Sequence, residues 1–456
     1  MGGGLDRSEE RGEVKRAAVR VLAAALSAVC LGALPLGAGP DIWKEAPRKI
    51  ALTTGLPLIY QKDKASAMTV VGLFVPGGRA AVPEGLDGLA YLVTRLTLEI
   101  PDEGKVRDLM AQATRMTFMC EEDYSVVFIE CLSENLEEAL RVAGKIIQDP
   151  LMSGLRIGRG KELMELFAQA EEDDAVVAGG NAALRAFFEG KGYGSSSYGS
   201  EASRKAIERK DVQAFFRRHF TSKNILFTVI SDLDPAPVRT LLEKYFAKVP
   251  EGERPEVASA APVPPADTDV RLTKETKQTY IARAYALPAP SPADHARGFL
   301  VEVLTGNGPG SRLWGLRTSG RLAYNVDSRL TWTRSAGILE AYLETENAKA
   351  DRAAAALDGV LEELWEKGVG AEEFAATKAM AKAYFLRSAE TKAERARLLG
   401  QLELLGLGFD HISGLFEAID AVTLDSLNAY IRAVLNPGKA LKITVGPGGP
   451  PPGQGG

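Results

Sequence analysis

The stretch GLDGLAYLVTRLTLE, residues 85–99, decides how this chain is interpreted. A glycine-containing loop leads into apolar residues that recur with the 3.6-residue period of an amphipathic helix. The helix carries Tyr91, Thr94 and Arg95 directly after the segment Gly-Leu-Ala. Neither Tyr nor Arg offers a neutral nitrogen lone pair, and Arg95 adds a positive charge. The stretch therefore predicts an amphipathic helix whose side chains Tyr91, Thr94 and Arg95 do not provide a set of metal ligands.

Composition places the chain among soluble globular proteins. It has 456 residues, of which 45% are hydrophobic and 25% are charged. This length suggests two or more domains with sizeable buried cores. The formal net charge is −5 at pH 7, and a mildly acidic balance argues against nucleic acid as the main partner.

The N-terminus has the pattern of an export signal. Basic residues precede an apolar run over residues 21–36, and small residues follow at 37–39. We predict a cleaved signal over residues 1–39, and hence a periplasmic or otherwise exported protein without a stable membrane span after cleavage. A retained anchor or a mis-assigned start stays open as an alternative. Cys30 is predicted to be a residue of the apolar run rather than a lipoprotein site.

Two cysteines remain in the mature chain, Cys120 and Cys131. They flank a predicted β-hairpin with its turn near Glu122, which would place Cys120 opposite a residue near Tyr124. The two sulfur atoms should therefore lie well apart. We expect two buried free thiols rather than a disulfide.

The chain divides into halves of similar length. Residues 250–269 are rich in Pro, Ala and acidic residues and predict a linker. They separate an N-terminal domain, 40–249, from a C-terminal domain, 270–446. The tail, 447–456, is low in complexity, and we expect it to be disordered.

The halves have the same order of elements. Towards the end of each comes an amphipathic helix, a short turn and a β-rich strand, which read ILFTVIS in the first half and LKITVG in the second. Alternating strands and then a long helix precede them in both halves. This predicts an α+β fold of two duplicated domains, each an antiparallel-rich sheet covered by helices.

The usual catalytic motifs do not occur in the sequence. It has no G-x-S-x-G elbow, P-loop or dinucleotide fingerprint. The three histidines are His219 at a helix end, His295 at a helix start and His411 in a predicted loop. None has a ligand partner at suitable spacing, so we interpret each as a surface or capping residue. We predict no metal site within this chain.

The second half contains GNGPGSRLWGLRTSGRLAY, residues 306–324. It predicts a glycine loop, a short helix with Arg317, a turn, and then Tyr324 seven positions after that arginine. This resembles the C-terminal half of M16 peptidases, the pitrilysin and insulinase type that includes the mitochondrial processing peptidases. The resemblance implies that Arg317 and Tyr324 bind and polarise the scissile peptide bond of a substrate, and that the domains have the LuxS/MPP-like metallohydrolase fold.

The same resemblance explains the opening stretch. Active members carry H-x-x-E-H on this helix, where two histidines bind zinc and the glutamate activates water; a further glutamate more than seventy residues on completes the site. Here those positions are degenerate and read Tyr91, Thr94 and Arg95. The later segment KELMELFAQAEEDD has four glutamates, which we expect on a solvent-exposed helix face. We assign none of them as a metal ligand: Glu162, Glu165, Glu171 and Glu172.

The resemblance implies a non-catalytic, substrate-side subunit of an exported M16-like zinc metallopeptidase that acts on peptides or unfolded polypeptides. Zinc is expected in a partner subunit with H-x-x-E-H, in a heterodimer, and not in this chain. A homodimer stays open. Two alternative hypotheses are a structural pseudo-peptidase within a larger complex and a peptide-binding protein that does not cleave.

Overall fold

The computed structural model describes residues 45–257, 260–265, 268–306 and 308–447. The predicted signal, 1–39, and nearly all of the predicted disordered tail lie outside these residues. The described part falls within one compact unit, Ile42–Gly456. The domain boundaries proposed from the sequence stay a prediction. Among the described residues, no helix is long and apolar enough to cross a lipid bilayer.

Eleven strands in the described part of the chain form two sheets. The first sheet has the order β1-β2-β6-β3-β5-β4, and the second has the order β7-β11-β8-β10-β9. The strands are β1 (Arg48–Ala51), β2 (Pro57–Lys62), β3 (Met68–Pro76), β4 (Arg115–Cys120), β5 (Tyr124–Leu132), β6 (Leu226–Ser231), β7 (Asp269–Thr273), β8 (Gln278–Leu287), β9 (Asn325–Trp332), β10 (Gly337–Glu346) and β11 (Leu441–Gly446).

Fifteen α-helices surround the sheets in the same described ranges. They are α1 (Leu89–Leu96), α2 (Glu103–Ala111), α3 (Leu136–Gln148), α4 (Gly154–Asp173), α5 (Ala175–Phe187), α6 (Glu201–Ala206), α7 (Arg209–His219), α8 (Pro235–Tyr245), α9 (Pro292–Thr305), α10 (Trp314–Thr318), α11 (Ala350–Lys367), α12 (Ala371–Ser388), α13 (Lys392–Leu404), α14 (His411–Ala421) and α15 (Leu424–Val434).

The strand orders confirm the duplicated α+β fold. Once β1 is set aside, β2-β6-β3-β5-β4 corresponds position by position to β7-β11-β8-β10-β9. In each sheet one pair is parallel, β2 with β6 and β7 with β11, and all other pairs are antiparallel. With β1 again set aside, a helix pair lies between the second and third strands of each half in chain order, α1 and α2 between β3 and β4, and α9 and α10 between β8 and β9. Equivalent elements therefore occupy equivalent places in both halves.

The two halves exchange helices. The first-half helix α5 packs on β8 and β11 of the second sheet, while the second-half helix α13 packs on β3 and β6 of the first sheet. Phe74 of β3 and Leu399 of α13, both fully buried, lie in one core cluster. Strand β3 is buried along nearly its whole length because it is covered on both faces. Each sheet thus uses a helix from the other half to bury its second face.

Buried polar contacts join the halves at two places. Lys392, at the start of α13, donates hydrogen bonds of 2.8 Å to the carbonyl oxygens of Asp63, Ser66 and Met68 in the β2–β3 connection. At the second place, Arg334 Nε donates to Asp123 Oδ1 over 2.9 Å, and the Asp123 side chain is 3% exposed. Charged groups buried in this way are stabilising only when paired.

The cysteine prediction is confirmed for the separation of the two free thiols and for the burial of Cys131, whereas Cys120 is half-buried. Cys120 lies opposite Ser125 across the β4–β5 hairpin, next to the expected Tyr124. Cys131 lies opposite Thr69 on β3, and both cysteines are free thiols. Burial raises the pKa of the Cys120 thiol to about 11 and that of Cys131 to about 12. Both are therefore protonated and unreactive at neutral pH.

Candidate functional site

The helix predicted from the opening stretch is α1, and it is entered through Gly88. Gly88 has a φ of 91°, a left-handed conformation that glycine adopts without steric cost. A Cβ atom at this position would lie 2.9 Å from the carbonyl carbon of Tyr198. The glycine therefore lets α1 start in close contact with the chain that precedes α6. This contact holds the first turn of α1, and with it Tyr91, beside Tyr198.

Tyr91 lies inside an aromatic cluster. It is 8% exposed, and its ring centroid lies 4.8 Å from that of Tyr198 and 5.2 Å from that of Phe118. Phe167 of α4 packs against both tyrosines, at 6.3 Å and 5.4 Å. Burial raises the pKa of the Tyr91 phenol, so this side chain is neutral and held by ring packing.

The other two positions on α1 are also engaged within the protein. Thr94 is 1% exposed, and its hydroxyl donates to the carbonyl of Ala90 over 2.8 Å. The Arg95 guanidinium lies 3.8 Å from Glu99, one turn along the helix. A phenol in an aromatic cluster, a hydroxyl bound to its own helix and a guanidinium do not fit a zinc ion. Across the described ranges, no three His, Cys, Asp or Glu side chains are grouped as metal ligands would be.

A cavity of about 400 Å³ lies next to α1, and we call it the central cavity. Its walls come from both halves: α1, the end of β4, α4 and α5 from the first, and β9 and β10 from the second. Residues that line it include Tyr91, Phe118, Tyr198, Glu121, Glu171 and Glu340. The sequence did not predict this cavity, because it forms where elements distant in the chain meet.

Two guanidiniums in the cavity wall are paired with carboxylates. Arg79 is 7% exposed; it donates to Glu122 and, over 3.1 Å, to the carbonyl of Ser195. Arg329 of β9 bonds Glu340 of β10 over 2.7 Å. Neither arginine was singled out from the sequence, since a lone Arg in a loop or on an edge strand carries no motif.

The prediction for the four glutamates of α4 is confirmed at three positions and wrong at one. Glu162, Glu165 and Glu172 are exposed, whereas Glu171 is half-buried and lines the central cavity. Its Oε2 accepts a hydrogen bond of 3.2 Å from Asn181, and burial raises the pKa of this carboxyl. No sequence signal distinguishes Glu171 from Glu172, which follows it directly; the packing of α4 against α1 and α5 does.

Arg317 and Tyr324 lie elsewhere on the molecule. Arg317 is exposed in the last turn of α10, with its guanidinium 4.8 Å from the ring centroid of Trp314. Tyr324 immediately precedes β9; its side chain is 73% exposed, and its backbone N–H donates to Glu344 over 2.8 Å. Neither residue lines the central cavity. The structure therefore does not join the degenerate helix and the Arg–Tyr pair into one site.

The glycine loop before α10 is a structural connection. Gly308 and Gly310 have φ values of 93° and 98°, which glycine accommodates. The next arginine, Arg312, is bound to Glu373 through two hydrogen bonds of 2.7 Å and 2.8 Å. Arg312 therefore anchors the loop to α12, whereas Arg317 and Arg321 of this motif are exposed.

The interpretation of the histidines as surface or capping residues is wrong. His219 is 2% exposed and stacks on Phe215 at 4.2 Å; burial lowers its pKa to about 4, so it is not a cation at the helix end. His411 begins α14 instead of lying in a loop, and its Nε2 is 3.2 Å from Nδ1 of His295. Burial lowers the pKa of both, that of His295 to about 3. All three are neutral packing residues.

Comparison with known proteins supports the predicted resemblance. Residues 206–381 match the family model described as peptidase M16 inactive domain. An uncharacterized zinc protease of Mycobacterium tuberculosis is 21% identical over 86% of this chain and 91% of its own length. The non-peptidase homolog YmxG of Helicobacter pylori is 22% identical over 83% and 89%. The mitochondrial-processing peptidase subunit beta of Blastocladiella emersonii is 22% identical over 65% and 66%.

Solved structures share the fold. The peptidase M16 inactive domain from Pseudomonas fluorescens superposes with a TM-score of 0.80 at 18% identity, covering 89% of this chain and 98% of that one. A chain of Complex III2 from Candida albicans, with Inz-5 bound, superposes with a TM-score of 0.75 at 16% identity, covering 88% and 95%. The resemblance and the duplicated α+β fold predicted from the sequence are thus confirmed.

Proposed function

Because residues 206–381 match the peptidase M16 inactive domain, we propose that this chain is the non-catalytic, substrate-side subunit of a heterodimeric M16-like zinc metallopeptidase. Its substrates are peptides or unfolded polypeptides. The similarity to a protein named a non-peptidase homolog supports the non-catalytic part of this proposal. The similarity to a subunit of mitochondrial-processing peptidase supports the part that concerns a partner.

One observation carries the proposal. The chain has the helix α1, but the side chains at the positions of H-x-x-E-H are engaged in internal contacts. Arg317 and Tyr324, in contrast, have exposed side chains that end in a guanidinium and a phenol. A chain that has the Arg–Tyr pair but no H-x-x-E-H can assist cleavage only of a bond that another protein attacks. The missing zinc and its water would come from a partner with H-x-x-E-H.

The chemistry of the pair fits a peptide carbonyl. When a scissile carbonyl is attacked, its oxygen becomes an oxyanion, which is stabilised by a fixed cation and a hydroxyl donor close by. Trp314 restrains the Arg317 guanidinium through a cation–π contact. The backbone hydrogen bond from Tyr324 to Glu344 fixes the start of β9. Both side chains are therefore positioned while their polar groups stay available.

Edge strands offer a place for the substrate backbone. Strand β4 is the edge of the first sheet and β9 is the edge of the second. An extended peptide can add to such an edge through main-chain hydrogen bonds, which require no particular sequence. Tyr324 immediately precedes β9, so a peptide on that edge would pass close to its hydroxyl.

The proposal also includes export. The pattern of residues 1–39 supports delivery to the periplasm or another compartment outside the cytosol. N-terminal sequencing of the protein from its native host tests this point, and a mature chain beginning near residue 40 is the expected result. A mature chain that still contains residues 1–39 would favour a retained anchor over a cleaved export signal. Translation that begins within this segment would favour a mis-assigned start.

The central experiment is purification from the native host, followed by metal analysis and peptidase assays. We expect the chain alone to bind no stoichiometric zinc and to cleave no peptide, and to give activity with an H-x-x-E-H partner. Arg317→Ala and Tyr324→Phe should each lower turnover of the complex by about a hundredfold, the usual effect of losing one oxyanion donor. Arg352→Ala, at an exposed position on α11, is the matched control.

Three results would contradict the proposal. Cleavage by the pure chain that is abolished by a chelator would place the metal in this molecule. Full activity of the complex after substitution of both Arg317 and Tyr324 would favour a structural role, which the likeness to a chain of Complex III2 makes the second candidate. Self-association without any H-x-x-E-H partner would likewise favour that second candidate.

A further inference from the structure

The central cavity has one aromatic wall. The rings of Tyr91 and Tyr198 meet at 80° with centroids 4.8 Å apart, and Phe118 packs on Tyr91 at 5.2 Å. All three line the cavity. Aromatic faces carry partial negative charge and attract organic cations. Met119, which also lines the cavity, is 39% exposed.

The rest of the lining has an excess of negative charge. The lining contains two guanidiniums, of Arg79 and Arg329, and four carboxylates, so its formal charge is −2. Both guanidiniums are already paired, with Glu122 and Glu340 respectively. The other two carboxylates, of Glu121 and Glu171, form no ion pair with any residue that the structure describes.

We propose that the central cavity binds an organic cation, an alkylammonium or guanidinium group. The aromatic wall would take the face of such a group, and the unpaired carboxylates of Glu121 and Glu171 would balance its charge. This inference goes beyond the proposed function, because it concerns a site distinct from Arg317 and Tyr324 and requires no partner subunit.

An organic cation suits the cavity better than a metal ion does. A volume of about 400 Å³ is within the range of small-molecule sites and far exceeds the space of one ion. A structural or catalytic zinc ion needs at least three protein ligands converging on a point, and the described side chains form no such group.

The protonation of the two carboxyls agrees with this assignment. Burial raises the pKa of Glu171 and of Glu121, and the negative charge of Glu122 raises that of Glu121 further. A bound cation would favour the ionised form of both groups and lower these pKa values.

The same chemistry has two sources, a basic side chain of a polypeptide or a free small amine. Calorimetric titration of the full chain with ethylguanidinium and with its neutral analogue ethylurea tests the shared chemistry. We expect ethylguanidinium to bind at least about tenfold more tightly. A second pair of probes, acetyl-Gly-Gly-Arg-Gly-Gly-amide and its citrulline analogue, distinguishes the sources. Tighter binding of the arginine peptide than of ethylguanidinium indicates a polypeptide, and equal or weaker binding indicates a small amine.

Variants locate the binding. Glu171→Gln removes one charge with little change in shape and should raise the Kd of ethylguanidinium by about tenfold. Glu165→Gln, at an exposed position on the same helix, is the matched control and should leave the Kd unchanged. Tyr198→Leu should weaken binding of ethylguanidinium through loss of an aromatic ring. If Tyr198→Leu does not fold, Glu171→Gln alone tests the proposal.

Three results would overturn the inference. The first is equal affinity for ethylguanidinium and ethylurea. The second is an identical Kd for the Glu171→Gln and Glu165→Gln variants. The third is stoichiometric binding of Zn²⁺ alone that the Glu171→Gln substitution abolishes, since that would make the cavity a metal site.

Discussion

The contact between α13 and the first sheet predicts opposite effects for one substitution made at two glycines. Gly400 lies within α13, and Gly359 lies at an exposed position within α11. Alanine is the better helix former, so Gly→Ala in the interior of a helix stabilises by about 1 kcal/mol where nothing opposes it. The gain in helix propensity is common to both sites, and the difference between the two variants isolates the packing.

The surroundings of the two positions differ sharply. A Cβ at Gly359 would have no heavy atom within 4 Å. A Cβ at Gly400 would lie 2.6 Å from Cε1 of Phe74 and closer still to two other atoms of that ring. Phe74 is fully buried and packs against Tyr124 and Phe128, so its ring has no space to move into. Overpacking of this kind costs about 1–3 kcal/mol.

We therefore expect Gly359→Ala to stabilise by about 1 kcal/mol and Gly400→Ala to destabilise by about 0–2 kcal/mol. The two variants should differ by about 1–3 kcal/mol. Equilibrium urea denaturation followed by circular dichroism measures this difference as a shift in midpoint at constant slope. If Gly400→Ala were as stable as Gly359→Ala, α13 would not lie against Phe74 as described.

Two further substitutions test buried charged groups. Burial raises the pKa of Glu302 to about 8 from a usual 4.5; its contribution to stability is therefore present below about pH 4.5 and lost as the pH rises to 8. Glu302→Gln should remove this loss and be more stable than the wild type by about 1–3 kcal/mol in denaturation at pH 8, with no gain at pH 4.5. An unchanged pH profile would contradict the burial of this carboxyl. Lys392→Met should cost about 2–4 kcal/mol because three backbone carbonyls lose a charged donor. The comparison variant Lys382→Met, which removes a partly exposed ion pair with Asp420, should cost less than about 1 kcal/mol; equal midpoints for the two would refute the role of Lys392.

The architecture could be predicted from the sequence because its signals are local. Periodicity identified α1 from residues 85–99, and the repeated order of helix, turn and strand identified the duplication. The hairpin around Glu122 followed from alternation and a turn, which also set the two cysteines apart. These features depend on neighbours in the chain, and neighbours are visible in a sequence.

The central cavity and the helix exchange could not be predicted, because they depend on contacts between distant residues. Glu171 differs from Glu172 only in where α4 lies against α5 and α1. The histidines were misassigned for the same reason. His219 lies at a helix end as expected, but the sheet that buries it is formed by other parts of the chain. The roles of Arg317 and Tyr324 stay a prediction, since both side chains are exposed and neither lines the central cavity.

The exchange of α5 and α13 also constrains how this protein is made. The last strand of the first sheet ends at Ser231, yet the helix that covers its second face begins at Lys392. During synthesis one apolar face of the first sheet therefore stays exposed until most of the second half, including α13, has emerged from the ribosome. Cutting the chain at the linker would produce two fragments that each lack a cover for one sheet face. Co-expressed, these fragments should reassemble, and expressed singly they should aggregate.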